Sequence, residues 1–367
     1  MKFSTERETL LRALSMVTGV VERRQTLPVL SNLLVVARED GLTMTATDLE
    51  VELSVRVREG VEIERGGRAT IPGRKLVDIW RSLPEGARIS VEVADQVTVR
   101  SGKSRFALAT LPVDEYPEMA EPQSDVKVLV PVDDVRRLLE QTSFAMAQQD
   151  VRYFLNGMLF EITGEYVRTV ATDGHRLAMC TCPGGAQGVE RMQAIVPRKG
   201  VNELARLLGE GEEPLLLALG SNHLRVVQGG YTLVSKLVDG QFPDYDRVIP
   251  KNGEHYVTGD RETLRRSLRS TSILSNEKYR GVRLSLDGEE MTVQANNPDQ
   301  EEAEDVIAVE YDGDPLEIGF NADYLLDILN ALSGENVRMS VSDGNSSALI
   351  EGPEEDGALF VVMPMRL

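Results

Sequence analysis

The clearest candidate for chemistry in this sequence is the run Asp173-Gly174-His175-Arg176, where a carboxylate and an imidazole stand two residues apart. Such a pair is a frequent acid and base unit, and it also suits a metal ion. However, no Ser or Cys nucleophile motif accompanies it, and the related segments at Asp48 and Asn297 carry no histidine. We therefore predict that Asp173 is a turn aspartate, with a hydrolase using Asp173 and His175 as the competing hypothesis.

A second candidate is Gly102-Lys103-Ser104, which resembles the end of a phosphate-binding loop. That loop needs a glycine five residues before Gly102, where this chain has Val97. It also needs a following helix, but residues 105–110 have the composition of a strand. The sequence therefore does not predict a nucleotide site here.

Cys180 and Cys182 are the two cysteines of the chain, with one residue between them. This spacing suits neither an unstrained disulfide nor the usual zinc motif, so we expect free thiols. The remaining histidines, His223 and His255, have no partners at ligand spacing. We expect no metal site, no cofactor and no catalytic residue.

The elements that must position these residues recur along the chain at a spacing of about 124 residues, which predicts three homologous domains. We place them at residues 1–125, 126–252 and 253–367, with joints near Glu121-Pro122 and Lys251-Asn252-Gly253. Three sets of stretches correspond in the three copies: 7–14, 133–139 and 261–268; 71–75, 195–199 and 318–322; and 46–48, 171–173 and 295–297. Two sets of single apolar residues also recur at corresponding positions, Val77, Val201 and Leu325 and then Trp80, Leu204 and Ile328.

Each domain is predicted to contain two amphipathic helices and roughly eight strands. Apolar and basic positions separate onto opposite faces of the helices, so the helices should lie on one side of antiparallel sheets, an α+β fold. The predicted helices are 5–24, 73–83, 133–149, 198–208, 260–270 and 321–332, and examples of the predicted strands are 33–36, 42–46, 51–57, 158–162, 167–171 and 291–295.

The formal net charge of −19 argues against a protein that holds nucleic acid by charge, since such a surface needs clustered Lys and Arg. The distribution is uneven, because the predicted helices hold 16 basic and 12 acidic residues. If these helices face one partner, it meets a weakly positive surface on an acidic body. The alternative is solvated helix faces without a partner.

The repeat places basic residues at corresponding positions of successive domains. Evenly spaced positive charges suit a regular polyanion such as duplex DNA, and they would position its backbone without selecting a base sequence. A repeat scaffold that never meets DNA explains the same charges and predicts no dependence on DNA topology. These residues are Arg74, Lys75, Arg198 and Lys199 in the second helices and Arg12, Arg137 and Arg266 in the first helices.

Two terminal segments bear on location and partners. Met1–Arg7 lacks the basic start and apolar stretch of a secretion signal, and the apolar runs are too short to span a membrane, so we expect a cytoplasmic protein without a membrane partner. Leu359–Leu367 is apolar where chain ends are normally polar. It is either an edge strand of its own domain or, given Met363 and Met365, part of an adaptable partner groove.

Five stretches of the sequence closely resemble the bacterial sliding clamps, the beta subunits of DNA polymerase III, and the likeness runs through the whole chain. The stretches are Gln149–Met158, Thr172–Leu177, Ser235–Gly240, Ile273–Lys278 and Met363–Leu367. The resemblance implies a clamp fold and a head-to-tail homodimer, in which six domains form a ring with helices lining the hole. Duplex DNA would pass through the ring. The clamp would have no catalytic activity and would confer processivity by tethering the replicative polymerase and other proteins with a clamp-binding motif, after a clamp loader opens it.

The resemblance also implies three groups of site residues. The partner-peptide groove would have an apolar floor and hydrogen-bond donors at its rim from His175, Arg176, Arg247 and Arg366. The groove would comprise Leu155, Thr172, Gly174, His175, Arg176, Leu177, Pro243, Arg247, Val248, Tyr279, Asn321, Tyr324, Ser347, Val361, Val362, Met363, Pro364, Met365 and Arg366. DNA would be contacted by Arg24, Arg74, Gln149, Tyr153, Phe154, Arg198 and Lys199. The dimer interface would pair Lys75, Lys103, Arg105, Phe106 and Leu108 with Ile273, Leu274, Glu301, Glu302 and Glu304.

Overall fold

A computed structural model describes residues 1–21, 27–117, 119, 124–208, 213–251, 255–353 and 357–366. They divide into two compact units, the first formed by residues 1–133 and 199–237 and the second by 134–198 and 238–367. The predicted joints at Glu121-Pro122 and Asn252-Gly253 lie outside the described residues. No helix in the described ranges is long and apolar enough to cross a membrane.

The described part of the chain contains six α-helices and 26 strands. The helices are α1 Arg7–Val17, α2 Gly73–Ser82, α3 Val132–Glu140, α4 Arg198–Leu207, α5 Arg261–Thr271 and α6 Ala322–Ala331. The strands are β1 Lys2–Glu6, β2 Asn32–Arg38, β3 Gly41–Thr47, β4 Val51–Val57, β5 Val61–Arg65, β6 Gly67–Pro72, β7 Arg88–Val93, β8 Val97–Ser101, β9 Ser104–Leu108, β10 Val126–Val130, β11 Gly157–Ile162, β12 Tyr166–Thr172, β13 Arg176–Pro183, β14 Met192–Pro197, β15 Leu215–Leu219, β16 His223–Gln228, β17 Tyr231–Lys236, β18 His255–Asp260, β19 Gly281–Asp287, β20 Glu290–Asn296, β21 Glu302–Ala308, β22 Glu310–Tyr311, β23 Leu316–Asn321, β24 Asn336–Val341, β25 Ala348–Glu351 and β26 Ala358–Val362.

Two predicted helices are too long. The segment predicted at 5–24 is helical over Arg7–Val17, because the chain before it pairs as β1 and the Thr18 hydroxyl donates to the Leu14 carbonyl at 2.7 Å where the helix ends. The segment predicted at 133–149 is helical over Val132–Glu140. A threonine again follows the helix end, and its hydroxyl bonds the carbonyl four residues earlier.

The six core positions that fall in step along the repeat are all buried, each at most 3% exposed. This supports the three-fold repeat, because one helix face is covered at corresponding positions of each copy. The residues are Val77, Val201 and Leu325, together with Trp80, Leu204 and Ile328.

The first unit contains two antiparallel sheets. Their strand orders are β5-β1-β7-β8-β9 and β10-β15-β16-β17-β4-β3-β2-β6. Strand β17 pairs with β4, with Leu233 opposite Leu53, so one sheet joins strands from the first and second predicted domains. Helices α1 and α2 pack together and contact strands β1, β2, β3, β4 and β6.

The second unit repeats this plan. Its sheets run β14-β11-β12-β13-β26-β25-β24-β18-β22 and β21-β20-β19-β23. Strand β13 pairs with β26, with Leu177 opposite Val361, so the chain end completes a sheet that begins in the second predicted domain. Helices α5 and α6 pack together, with α5 against β18, β20 and β21 and α6 against β23 and β26.

Candidate functional site

The repeated turn has the same hydrogen bonds at Asp48 and Asp173, where the second and third residues ahead donate, whereas at Asn297 the donors are the second and fourth residues ahead. In each, one side-chain oxygen accepts two backbone N–H groups at 2.7 to 3.1 Å. The second carboxylate oxygen of Asp173 accepts from the Arg176 Nε at 3.1 Å. The turn-aspartate prediction is therefore confirmed, and the carboxylate has no bond to the His175 ring among the described contacts. The turn donors are Glu50 and Val51 for Asp48, His175 and Arg176 for Asp173, and Asp299 and Glu301 for Asn297.

The other chemical candidates are structural. Gly102 has φ of 56° in the tight turn between β8 and β9, so a hairpin stands where a phosphate loop would need a helix. Cys180 and Cys182 are buried free thiols on β13, and the Cys180 thiol donates to the Gln141 amide oxygen at 3.1 Å. Within the described ranges no three His, Cys, Asp or Glu side chains are grouped to hold a metal ion.

A cavity of about 240 Å³ opens on one face of the nine-stranded sheet in the second unit. Ten of the predicted groove residues line it: Leu155, Thr172, Gly174, His175, Arg176, Leu177, Pro243, Val248, Val361 and Met363. Four further lining residues were missed as groove residues from the sequence: Arg152, Phe154, Phe242 and Tyr245. The paired aromatics in Phe242-Pro243-Asp244-Tyr245 are the signal that could have found two of them.

The apolar layer beneath this groove follows from strand pairing. Side chains at every second position point to the same sheet face, and Ile195, Leu159, Val170 and Met179 stand opposite one another on β14, β11, β12 and β13. These four residues pack with Leu177, Val361, Phe242 and Tyr245 in one buried cluster. Neighbouring strands thus supply a continuous apolar layer, from which Leu177, Val361, Phe242 and Tyr245 reach the cavity lining.

The chain end is fixed by backbone hydrogen bonds at the groove. The Met363 N–H donates to the His175 carbonyl and the Met365 N–H to the Gly319 carbonyl, both at 2.9 Å. Val362, one residue earlier, is fully buried in β26, whereas Met363 is 45% exposed. The prediction of an edge strand is therefore wrong, because β26 is an interior strand that pairs with β13 on one side and β25 on the other, and Met363 beyond it lines the cavity.

Gly174 keeps the mouth of the groove open. Its φ of 88° is a conformation that side chains rarely adopt, and a Cβ here would lie 2.9 Å from the Arg152 guanidinium. That guanidinium is held by Asp150, with Nε and one amino group 3.0 and 2.9 Å from its two oxygens. These bonds, together with one from the Arg152 backbone N–H, lower the pKa of Asp150 to about 2.

Arg176 lines the cavity, but the prediction that it offers donors at the rim is wrong. Its side chain is only 10% exposed, and its nitrogens donate to Asp173 at 3.1 Å, to Asp327 at 2.6 Å and to the Phe144 carbonyl at 2.8 Å. The guanidinium also lies 4.5 Å from the centre of the Tyr324 ring. Arg176 is therefore a cross-link between β13 and α6 behind the groove wall.

Nine predicted groove residues do not line the cavity. Arg247, next to the lining residue Val248, is exposed and paired with Asp244 at 2.8 Å, and Asn321 caps α6 by accepting from the backbone N–H of Tyr324 at 3.3 Å. Tyr279 is 54% exposed. The nine are Arg247, Tyr279, Asn321, Tyr324, Ser347, Val362, Pro364, Met365 and Arg366.

In the first unit, the predicted DNA contacts Arg74 and Lys199 already have protein partners. Arg74 is exposed and donates to the Val21 carbonyl at 2.6 Å. Lys199 pairs with Asp48, whose side chain is 6% exposed. Arg24 lies outside the described residues.

In the second unit, the predicted DNA contacts differ in exposure. Arg198 donates to the Met146 carbonyl at 3.0 Å, and Gln149 has φ of 56° in an exposed turn. Tyr153 is 57% exposed and its ring packs edge-on against Phe154. Phe154 packs against the buried apolar cluster beneath the groove and lines the cavity, whereas the prediction made it a DNA contact.

The repeated basic positions in the first helices are not equivalent. Arg12 and Arg266 are exposed, whereas Arg137 turns inward and donates to the Thr181 carbonyl at 3.0 Å and to the Cys182 sulfur at 3.5 Å. The prediction of Arg137 as a surface charge was therefore wrong. A long side chain on an amphipathic helix can bury its stem and find acceptors at the sheet beneath.

The predicted interface residues of the first unit lie at a sheet edge. Strand β9 is the last strand of the five-stranded sheet, and it carries exposed Arg105 with half-buried Phe106 and Leu108. Lys103, in the turn before it, is exposed, as is Lys75 on α2. An edge strand has unpaired backbone groups that can add another strand.

The predicted interface residues of the second unit lie at another edge. Strand β21 ends the four-stranded sheet and carries exposed Glu302 and Glu304, with exposed Glu301 just before it. Ile273, after α5, is 73% exposed and Leu274 is half-buried. The two edges are thus opposite in charge, and each has apolar residues beside it.

Comparison with known proteins agrees with this architecture. Family models described as the N-terminal, central and C-terminal domains of the DNA polymerase III beta subunit match residues 1–120, 129–244 and 246–366. The beta sliding clamps of Pseudomonas putida and Escherichia coli are 52% and 50% identical to this chain, each over 100% of both chains. The solved structure of the Pseudomonas aeruginosa beta subunit bound to griselimycin covers 100% of both chains with a TM-score of 0.96 and 51% identity. The chain therefore belongs to the DNA polymerase III beta subunit family, the beta sliding clamps, with their three-domain fold and non-catalytic role as a processivity subunit.

Proposed function

We propose that two copies of this chain join head to tail into a closed ring around duplex DNA in the cytoplasm. Each copy would contribute three domains, 1–125, 126–252 and 253–367. The basic edge at β9 and the acidic edge at β21 support this pairing, because strand addition between unlike charged edges favours the head-to-tail orientation. Phe106 and Leu108 would cover Ile273 and Leu274 of the second copy.

The charge distribution supports retention by topology. The chain has a net charge of −19, so an open surface would repel DNA phosphates as a whole. Two of the predicted DNA contacts, Arg74 and Lys199, also have protein acceptors that limit their reach. A closed ring needs no strong contacts with the phosphates, because a protein ring that encircles circular DNA cannot dissociate without opening.

The groove would tether the polymerase, the clamp loader and other partners through short peptide segments. The observation that carries this proposal is the preformed cavity of about 240 Å³ with an apolar floor and the chain end as one wall. It suits a leucine or phenylalanine anchor. Exposed His175 and Arg247 at its rim favour a glutamine or aspartate flank.

The test of the ring is retention on DNA of different topology. The full chain, loaded on nicked circular DNA, should survive a wash in moderate salt and dissociate when the circle is cut. Purely electrostatic binding would fall steeply with salt on both forms. Sedimentation of the free protein should show a dimer. Equal retention on circular and linear DNA would contradict the ring.

A further inference from the structure

A buried carboxylate lies next to the groove floor. Glu161 stands in the middle of β11, and its side chain is fully buried. Glu161 is two residues beyond Leu159, so both side chains project from the same sheet face. The strand register places Gln193 and Arg168 on either side of it, just as Ile195 and Val170 flank Leu159. A polar row thus runs beside the apolar row beneath the groove.

The oxygens of Glu161 accept from several donors. Tyr166 donates its hydroxyl at 2.8 Å, Arg191 its Nε at 2.8 Å and Gln193 its amide at 2.6 Å. Burial by itself raises the pKa of Glu161, but the hydrogen bonds from Tyr166, Arg191, Gln193 and Tyr245 outweigh it, and the pKa lies below its ordinary value. The carboxylate therefore stays ionised and acts as an acceptor.

Tyr245 spans both rows. Its ring belongs to the apolar cluster and lines the groove, and the residue is 2% exposed. Its hydroxyl reaches the polar row, 3.1 and 3.2 Å from the two oxygens of Glu161. The same hydroxyl accepts from Arg168 at 3.0 Å and from Arg191 at 3.4 Å, so its donor and both acceptor positions are used.

Tyr245 also begins the short helical turn Tyr245–Arg247. Pro243 and Val248, on either side of this turn, line the groove, and the Val248 N–H donates to the Tyr245 carbonyl at 3.0 Å. The hydroxyl of Tyr245 makes the side-chain hydrogen bonds that tie this wall segment to the sheet in the described structure. Loss of those bonds would free the wall segment, while the aromatic ring of Tyr245 would stay in the apolar cluster.

We propose that Tyr245 is a positioning residue for peptide binding, which holds the Pro243–Val248 wall in register with the groove floor through its hydroxyl bond to Glu161. This inference rests on the proposed peptide-binding function of the groove. The peptide itself would contact the aromatic ring of Tyr245 and the wall segment. The hydroxyl would not contact the peptide and would act by fixing the wall from beneath the surface. A wall that is fixed in advance does not have to be ordered when the peptide binds.

The test is the Tyr245→Phe variant, which keeps every lining carbon and removes the hydroxyl. Binding of a labelled peptide with a leucine anchor and a glutamine flank is titrated by fluorescence polarisation on the full-length dimer. We expect the Kd to rise about tenfold, because the variant loses the hydroxyl's bonds to Glu161 and Arg168 and the freed wall must then be ordered when the peptide binds. Amide hydrogen exchange at Val248 should become faster, with retention on circular DNA unchanged.

The matched control is Tyr116→Phe in the first unit. Tyr116 is 5% exposed and its hydroxyl donates to the Thr45 carbonyl at 3.0 Å, so the change removes a tyrosine hydroxyl bond at a buried residue that does not line the groove. Its peptide Kd should equal that of the unaltered chain. Equal affinity of Tyr245→Phe and the unaltered chain overturns the inference, as does an equal loss in both variants. Failure of the unaltered chain to bind overturns the proposed groove function and the inference with it.

Discussion

The turn after β3 and the turn after β12 share their backbone hydrogen bonds, but apolar residues pack at the first turn and a cavity opens at the second. In both, the threonine hydroxyl accepts an N–H two residues ahead, at 3.0 Å for Thr47 and 3.1 Å for Thr172. The residue after each aspartate has a positive φ, 79° for Leu49 and 88° for Gly174. Leu49 packs on a cluster of apolar residues, whereas Gly174 leaves a cavity above the sheet.

This difference accounts for a cavity at the second turn and a filled surface at the first. The hydrogen bonds fix the turn, and the side chain at the next position decides whether the space above it is filled. Leucine at a positive φ costs on the order of 1 kcal/mol in strain, which its packing offsets. Glycine costs no strain and leaves room for a ligand.

The largest effect is expected from Gly174→Leu, which gives the second turn the residue of the first. Leu49 shows that this backbone accommodates leucine, and the nearest obstacle is the end of the Arg152 side chain, which can move. The new side chain would occupy the mouth of the groove. We expect peptide affinity to fall about a hundredfold or more, measured by fluorescence polarisation.

The control for this variant is Gly184→Leu. Gly184 also has a positive φ, 94°, and a Cβ there meets nothing within 4 Å. The Gly184→Leu change has the same backbone strain but adds no side chain at the groove, so the peptide affinity of this variant should be unchanged. Tight peptide binding by Gly174→Leu would show that the occupied groove lies elsewhere.

The turns were predictable from the sequence because an aspartate that bonds the next N–H groups acts locally. The repeat made the prediction stronger, since Asp48, Asp173 and Asn297 recur at one spacing. Strand β4 was predicted at its observed bounds because its apolar and polar residues alternate. The greater part of the groove followed from family resemblance, position by position.

Other features depend on long-range contacts that local patterns do not encode. The inward turn of Arg137 and the cross-link made by Arg176 depend on acceptors that other strands or helices supply. The bond between Tyr245 and Glu161 joins residues 84 positions apart and requires the register of three strands. The ends of α1 and α3 were missed because apolar residues continue beyond each helix into the next segment.

The converse variant, Leu49→Gly, tests whether an opened turn is enough to make a site. It relieves the strain at φ of 79° but removes packing from the cluster of Val29, Leu30 and Tyr116. We expect a loss of about 1.5 kcal/mol in unfolding free energy, measured by urea denaturation, since Leu49 is only half-buried.

The Leu49→Gly variant should gain no second peptide site. The groove of the second unit also needs the Met363 wall at the chain end, and no such segment lies beside the first turn among the described contacts of its cluster. Peptide titration of the dimer should still give one site per chain. A second site of similar affinity would show that the residue after the aspartate alone determines the difference.

The smallest effect is expected from a change of Arg152. Its guanidinium lies against Gly174, in the space that a Cβ at position 174 would enter. Its hydrogen bonds hold the pKa of Asp150 at about 2, below the ordinary value of 3.8. A depressed folded pKa contributes stability above pH 3.8, and that contribution is lost as the pH falls from 3.8 toward 2. The contribution is small because the pair is exposed to solvent.

This prediction can be checked by following the Asp150 side-chain carbon by NMR as the pH is lowered to 3. In the unaltered chain the signal should remain largely that of the ionised form, whereas in Arg152→Met, which loses the guanidinium but keeps the residue 152 N–H, it should titrate at a higher pH, closer to 3.8. Asp343 is the internal control, because backbone N–H groups and the Ser346 hydroxyl, with no arginine, lower its pKa. Its titration should be the same in both proteins. An unchanged Asp150 titration in Arg152→Met would mean that the guanidinium leaves the carboxylate in solution and that the space beside Gly174 is already open.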